Sequence, residues 1–152
     1  MLTQLSLLLL FFISGYLFGG SCFHWLHKAI TLAKVTKYDQ AVEGFEAALK
    51  LDSMDWLQRN YALFRASCPD AKYRDGKKAV EMAKLAIEKK GKDAGWVYSA
   101  TLAAAYAEAG EFEFAVSEQR KALDDKHIHP TDKKEQEARL VLYRADKPYR
   151  DE

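Results

Sequence analysis

Hydrophobic and polar residues alternate with the spacing of an α-helix over most of the chain after residue 23. In residues 37–52, apolar side chains recur three and four positions apart, and charged side chains fill many of the positions between them. Residues 76–91 and 111–125 repeat this spacing. Because such spacing places the apolar side chains on one side of a helix, we expect an amphipathic helix in each segment.

These three segments also share a short sequence pattern. It consists of Ala-Val, five residues of any type, then Ala and either Leu or Ile. The pattern begins at Ala41, Ala79 and Ala115, so its copies are 38 and 36 residues apart. A period of this size indicates a repeat architecture in which neighbouring helical units share a core.

A further helix is predicted in front of each of these helices, most clearly in residues 96–110. Ala103 is small enough to let two helices approach closely, and Gly110 can adopt the left-handed conformation that a tight turn needs. Two helices per unit resemble the tetratricopeptide repeat, a helix–turn–helix of about 34 residues. The residues that carry this resemblance in the third unit are Leu102, Ala103, Tyr106, Gly110, Phe112, Ala115, Ala122 and Leu123.

The other two units match the family less completely. In the first unit the matching residues are Trp25, Ala29, Tyr38, Ala41, Phe45, Ala48 and Leu49. Lys28 and Thr36 of the first unit stand where the family prefers Leu and Gly. In the third unit, Gln119 stands where an aromatic residue is usual. The middle unit has an enlarged turn. The resemblance covers residues 22–125. In this range the chain is similar to tetratricopeptide regions of bacterial multidomain proteins.

The resemblance implies an all-α fold, a tetratricopeptide-like stack of about three antiparallel helix pairs. We divide the chain into a hydrophobic N-terminal helix over residues 1–22, a repeat domain over 23–145 and a tail over 146–152. The repeat domain includes a C-terminal capping helix in residues 133–145, since a terminal repeat needs a cover with a polar outer side. Its expected apolar contacts are Ala138, Leu140, Val141 and Leu142.

The first 22 residues differ from the rest of the chain. No Asp, Glu, Lys or Arg precedes Lys28, and residues 5–20 are almost continuously apolar. At about 1.5 Å per residue, a helix of this length is long enough to cross a bilayer. An uncleaved anchor is one interpretation. A cleaved signal peptide, a lipoprotein modified at Cys22, a buried helix and a misassigned start are the alternatives.

The charges next to this segment predict its orientation. Lys28, Lys34 and Lys37 follow it, and Asp39 is the first acidic residue. By the positive-inside rule, an anchored chain would hold its repeats in the cytoplasm. We therefore expect membrane association with cytoplasmic repeats, or an exported protein or lipoprotein if the segment is processed.

The composition argues against several function classes. Lys and Arg total 23 and Asp and Glu total 22, so the excess positive charge typical of nucleic-acid binding is absent from the sequence. Two cysteines are too few for a disulfide framework, and the sequence contains no phosphate-loop, dinucleotide, nucleophile-elbow or zinc-protease motif. We expect a non-catalytic protein with no cofactor, no metal and no nucleic-acid partner.

The loop SCPDAKYRDG, residues 67–76, contains Cys68 as a candidate nucleophile. A nucleophilic cysteine needs a base, and all four histidines are distant from it in sequence. Pro69 disfavours helical geometry at Cys68, and Asp75 is placed to cap the helix that follows. The loop is interpreted as a connector between two helices.

The stretch HIHP, residues 127–130, has histidines at a metal-like spacing. A third ligand is missing nearby in the sequence, and Pro130 is typical of a loop. We interpret this stretch as a connection between helices.

The resemblance also implies a protein-interaction function. In the family, the first helix of each pair lines a concave face that takes an extended or helical peptide. The residues expected on this face are Trp56, Arg59, Leu63, Val97, Ala100, Ala104 and Glu108. Arg59 and Glu108 would orient a protein or peptide ligand.

Two alternatives stand beside this interpretation. Several of the seven residues could serve only to pack the helices, or the chain could be an accessory part of a larger enzyme assembly. The identity of the partner and the oligomeric state do not follow from the sequence.

Overall fold

A computed structural model describes residues 22–151, and within this range they form seven α-helices and two short 3₁₀ turns without any strand. The helices are α1 (Cys22–Lys34), α2 (Tyr38–Leu51), α3 (Asp55–Ser67), α4 (Gly76–Lys90), α5 (Trp96–Glu108), α6 (Phe112–Leu123) and α7 (Pro130–Arg144). The 3₁₀ turns are Ala71–Tyr73 and Gly91–Asp93. Neighbouring helices pack in pairs, α1 with α2, α3 with α4 and α5 with α6. The predicted all-α class is confirmed.

The chain divides into two compact units, one ending at Ser53 and the other beginning at Met54. In the first unit, Ala29 of α1 and Phe45 of α2 are buried. A Cβ added at Gly44 would lie 3.0 Å from the Ala29 Cβ. The absence of a side chain at Gly44 therefore lets α1 and α2 approach closely.

The turn between α1 and α2 contains Thr36 with φ +61°. Gly110 has φ +80° in the turn between α5 and α6. Both residues are in the left-handed region, which glycine adopts at little steric cost and a β-branched residue does not. The expected left-handed conformation is confirmed at Gly110, and Thr36 adopts the same backbone conformation despite its branched side chain.

The second unit contains α3 to α7. Helix α5 contacts both α3 and α4, and α7 packs on α6. Many of the residues buried in this unit are alanines, whose small side chains let the helix backbones come near each other. Alanines buried in this unit include Ala62, Ala79, Ala83, Ala86, Ala103, Ala107, Ala115 and Ala122.

Helix α7 packs on α6 with part of the apolar set that the sequence predicts. Leu140 is buried and Leu142 packs against a buried cluster, as predicted. Val141 is 65% exposed and Ala138 is also exposed, so the prediction that both make apolar contacts is wrong. The buried side chains are Gln136, Leu140 and Tyr143, which are spaced four and three positions apart. Since α6 lies on that side of α7, Ala138 and Val141 fall on the other side of the helix and are exposed.

Gln119, which stands where the tetratricopeptide pattern that the sequence resembles has an aromatic residue, is buried. Its Nε2 donates hydrogen bonds of 3.0 Å to both the backbone oxygen and the Oε1 of Gln136. An aromatic residue at position 119 could not make these bonds. The α6–α7 contact is thus held by a buried amide pair as well as by apolar packing.

The hydrophobic helix predicted for residues 1–22 lies outside the described residues, apart from Cys22, which belongs to α1. None of the helices between residues 22 and 151 combines the length and the apolar character needed to cross a membrane.

Candidate functional site

Helices α3 and α5 pack against each other and carry all seven residues that the sequence assigns to a binding face. Within each helix these residues are three or four positions apart and share one side. They are Trp56, Arg59 and Leu63 on α3, and Val97, Ala100, Ala104 and Glu108 on α5. We call this surface the α3–α5 face.

The α3–α5 face offers less exposed surface than its seven residues suggest. Ala100 and Ala104 are only 3% and 2% exposed. Their small side chains therefore serve the close packing of the helices and offer almost no surface to a ligand. The half-buried residues that remain on the face, apart from Glu108, are Trp56, Arg59, Leu63 and Val97.

A polar cluster lies at the end of the face where α3 and α5 begin. The Tyr98 hydroxyl donates a short hydrogen bond to Oδ2 of Asp55. The Lys90 Nζ lies 3.8 Å from the same oxygen. Burial, and then the bond to Asp55, raises the pKa of Tyr98 to about 12. Tyr98 is therefore a neutral, fixed hydrogen-bond donor at physiological pH.

Arg59 lies next to this cluster, with its guanidinium carbon 5.8 Å from the centre of the Tyr98 ring. Burial lowers the pKa of Arg59, while Tyr98 and Asp55 act in the opposite direction. An arginine stays charged at neutral pH even after such a change, because its ordinary pKa is above 12. Arg59 thus supplies a half-buried positive charge to the face.

Glu108 lies at the opposite end of the face and is held by two arginines. Its Oε1 is 2.9 Å from Nε of Arg74, and its Oε2 is 2.8 Å from Nη2 of Arg150. The Glu108 side chain is 14% exposed. The Arg74 contact is a charge-assisted hydrogen bond, which is strong when it is shielded from water, whereas the Arg150 contact is an ion pair without hydrogen-bond geometry. The sequence predicts Glu108 on the face, and the structure shows that it is already bound within the chain.

The tail after α7 supplies one of these arginines. The Asp151 amide donates a 3.0 Å hydrogen bond to the Ser67 carbonyl, and Nη1 of Arg150 lies 3.4 Å from the Ala66 carbonyl. The tail therefore lies against the C-terminal ends of α3 and α5. Sequence reasoning missed this contact because a short polar tail carries no periodic signal.

The loop at residues 67–76 is a fixed connector. Nη1 of Arg74 donates 2.8 Å hydrogen bonds to the carbonyls of Cys68 and Pro69. Asp75 caps α4 by accepting a 3.0 Å bond from the Lys78 amide, which confirms the predicted cap. Cys68 is 2% exposed, and burial raises the pKa of its thiol. This environment disfavours the thiolate that nucleophilic attack requires.

Residues in the connection between α6 and α7 accept hydrogen bonds from the first turns of α7 and α5. His129 caps α7 and precedes Pro130 at the first helical position. Asp125 Oδ2 accepts a 2.8 Å bond from the Trp96 amide at the start of α5. Hydrogen bonds from the backbone amides, led by that of His127, hold the pKa of Asp125 below its ordinary value. In the part of the chain that the structure describes, no group of three potential ligands could hold a metal ion.

Comparison of the chain with models of known protein families, with curated proteins and with solved structures gives no match.

Proposed function

We propose that this protein is a non-catalytic protein-interaction module whose α3–α5 face binds a peptide or a segment of a partner protein. The observation that carries the proposal is the arrangement of this face. Half-buried Trp56, Leu63 and Val97 share this face with the positive Arg59, and Glu108 lies at the end where α3 and α5 finish. Apolar side chains beside a half-buried charge suit a peptide that is held by its side chains and oriented by a charged group.

The architecture that we propose is tetratricopeptide-like. Each of the pairs α1–α2, α3–α4 and α5–α6 corresponds to one repeat, and α7 caps the last of them. Buried small residues at the pair contacts, such as Ala29 with Gly44 in the first pair, support this proposal. In that family, α3 and α5 would be the first helices of their repeats, and these line the binding side.

The proposal of a non-catalytic role is supported by the state of the candidate reactive groups. Burial raises the pKa of both Cys68 and Tyr98, so both stay protonated near neutral pH. Glu108 and Asp55 are engaged in ion pairs or hydrogen bonds within the chain. A general base or nucleophile is instead expected to be poised to lose or accept a proton near the working pH.

We further propose that residues 1–22 associate the protein with a membrane and that the repeats lie in the cytoplasm. Export or lipidation at Cys22 is the competing arrangement. Protease treatment of intact cells and of inverted vesicles distinguishes them. The repeats should be digested only in inverted vesicles, and digestion in intact cells would contradict the cytoplasmic placement.

Co-purification from native membranes tests the interaction function. We compare the full chain with Leu63→Gln on the face and with Leu85→Gln, a matched change at a 46% exposed leucine on α4. Loss of an apolar contact at the centre of an interface typically weakens binding by about 10-fold or more. Leu63→Gln should therefore lose the partner and Leu85→Gln should retain it. Equal recovery by both, at similar thermal stability, would refute the proposal.

A further inference from the structure

The C-terminal tail contacts the α3–α5 face in the way that a bound peptide would. Residues 147–151 have no regular secondary structure. At the ends of α3 and α5 the tail contributes a main-chain hydrogen bond, from Asp151 to the Ser67 carbonyl, and a charged side chain, Arg150, which reaches both Glu108 and the Ala66 carbonyl. Main-chain bonds combined with a specific side-chain contact are the usual basis of peptide recognition.

The two arginines at Glu108 are not equivalent. Arg74 belongs to the loop that joins α3 and α4, and its guanidinium is also bound to the carbonyls of Cys68 and Pro69. It is thus a fixed part of the site. Arg150 belongs to the tail, and its side chain is 27% exposed compared with 16% for Arg74. Removal of the tail would leave one oxygen of a shielded carboxylate without its cation.

The residue before this arginine also has a defined position. The Tyr149 ring lies 3.8 Å from the guanidinium carbon of Arg139 on α7. It packs against the buried cluster of Ala103, Ala107, Ala115 and Tyr143. Burial raises the pKa of Tyr149, so its ring is held as a neutral aromatic group. The site therefore accepts an aromatic side chain followed directly by an arginine.

We infer that the Glu108 end of the α3–α5 face is a recognition subsite for a partner segment with an aromatic residue followed by arginine. The chain's own tail occupies this subsite as an intramolecular competitor. This inference rests on the proposed interaction function. Glu108 binds the arginine of the partner, and the carbonyls of Ala66 and Ser67 accept its donors. Because a tethered segment competes at an effective concentration in the millimolar range, a partner must displace the tail before it binds tightly.

A binding measurement with the synthetic peptide DKPYRDE, residues 146–152, tests this inference. The full chain is kept in a mild detergent, and three proteins are compared: wild type, Arg150→Ala and Arg144→Ala. Arg144 is exposed at the end of α7 and provides the matched control. Weakening of the tail should raise the affinity for the peptide about 10-fold or more in Arg150→Ala alone. Equal affinity in all three proteins would overturn the inference.

A second arm tests the role of the arginine in the peptide. The peptide DKPYADE, in which alanine replaces the arginine, should bind Arg150→Ala at least about 10-fold more weakly than DKPYRDE, because it lacks the charge that Glu108 pairs with. The double variant Glu108→Gln/Arg150→Ala should lose this preference. If the two peptides bind Arg150→Ala equally, the subsite does not read arginine and the inference fails.

The co-purification experiment separates this failure from failure of the interaction function. If the partner depends on Leu63 but the peptides show no arginine preference, the interaction function stands and the subsite is refuted. If the partner is indifferent to Leu63, the function itself fails, whatever the peptides do.

Discussion

At the scale of single residues, Gly76 is a position where the packing leaves no room for a side chain. A Cβ added there would lie 2.5 Å from the Ala109 backbone nitrogen and 2.7 Å from the Ala109 Cα. These are backbone atoms at the end of α5, so they cannot move aside as a flexible side chain could. Gly76 therefore lets the start of α4 meet the end of α5.

Gly76→Ala tests this close approach. Helix propensity alone predicts that alanine stabilises the first turn of α4, by up to about 1 kcal/mol. The clash predicts the opposite, a loss of about 1–3 kcal/mol in the free energy of unfolding. Chemical denaturation measures which effect dominates, with exposed Lys77→Ala on the same helix as the control. Gain of stability in Gly76→Ala would contradict the packing described above.

Gln119 is a second residue whose buried surroundings determine which amino acid the position tolerates. It is fully buried, and its amide bonds to Gln136 join α6 to α7. Gln119→Leu should lower the free energy of unfolding by about 1–3 kcal/mol, because it leaves polar groups of Gln136 buried without their partner.

The double variant Gln119→Leu/Gln136→Leu provides the check. If the amide pair is the cause, the double variant should be more stable than the sum of the two single changes predicts, by about 0.5–3 kcal/mol. Additive losses would show that the two amides do not depend on each other.

At the scale of elements, α3 and α5 are joined near their first turns by the Tyr98–Asp55 hydrogen bond. The raised pKa of Tyr98, about 12 compared with an ordinary value of 10.0, means that the folded state holds this proton more tightly than the unfolded state does. The resulting stabilisation is fully present below about pH 10. It is lost as the pH rises through about 12.

The pH dependence of the stability of Tyr98→Phe tests this link between the Tyr98 proton and folding. At about pH 8 the variant should be less stable than wild type by about 1 kcal/mol, the value of one hydrogen bond. The difference should shrink as the pH approaches about 12, because wild type then loses its own advantage. Denaturant unfolding at several pH values measures this difference in the free energy of unfolding. A difference that stays constant with pH would rule out this linkage.

The elements themselves were largely predictable from the sequence. The apolar spacing predicted the helices seen as α2, α4 and α6, and Asp75 was identified as the cap of α4. The face of α7 was not predictable in the same way. Its sequence offers apolar side chains on more than one side, and only the position of α6 decides that Tyr143 is buried while Val141 is exposed.

At the scale of the whole molecule, the described contacts join residues that no local pattern relates. Arg74 and Glu108 are 34 positions apart, and Arg150 and Ala66 are 84 apart. The resemblance to the tetratricopeptide repeat implied that Glu108 belongs to the binding face. It could not show that two arginines hold Glu108, because that depends on how the loop and the tail return to the ends of α3 and α5.

Site-specific photo-crosslinking in the native host tests the interaction function most directly. A photo-reactive amino acid replaces Trp56 on the α3–α5 face in one version of the full chain and Glu81, exposed on α4, in the other. We expect a discrete adduct with a partner protein from position 56 and none from position 81. Adducts of equal yield from both positions, or none from position 56, would contradict the account.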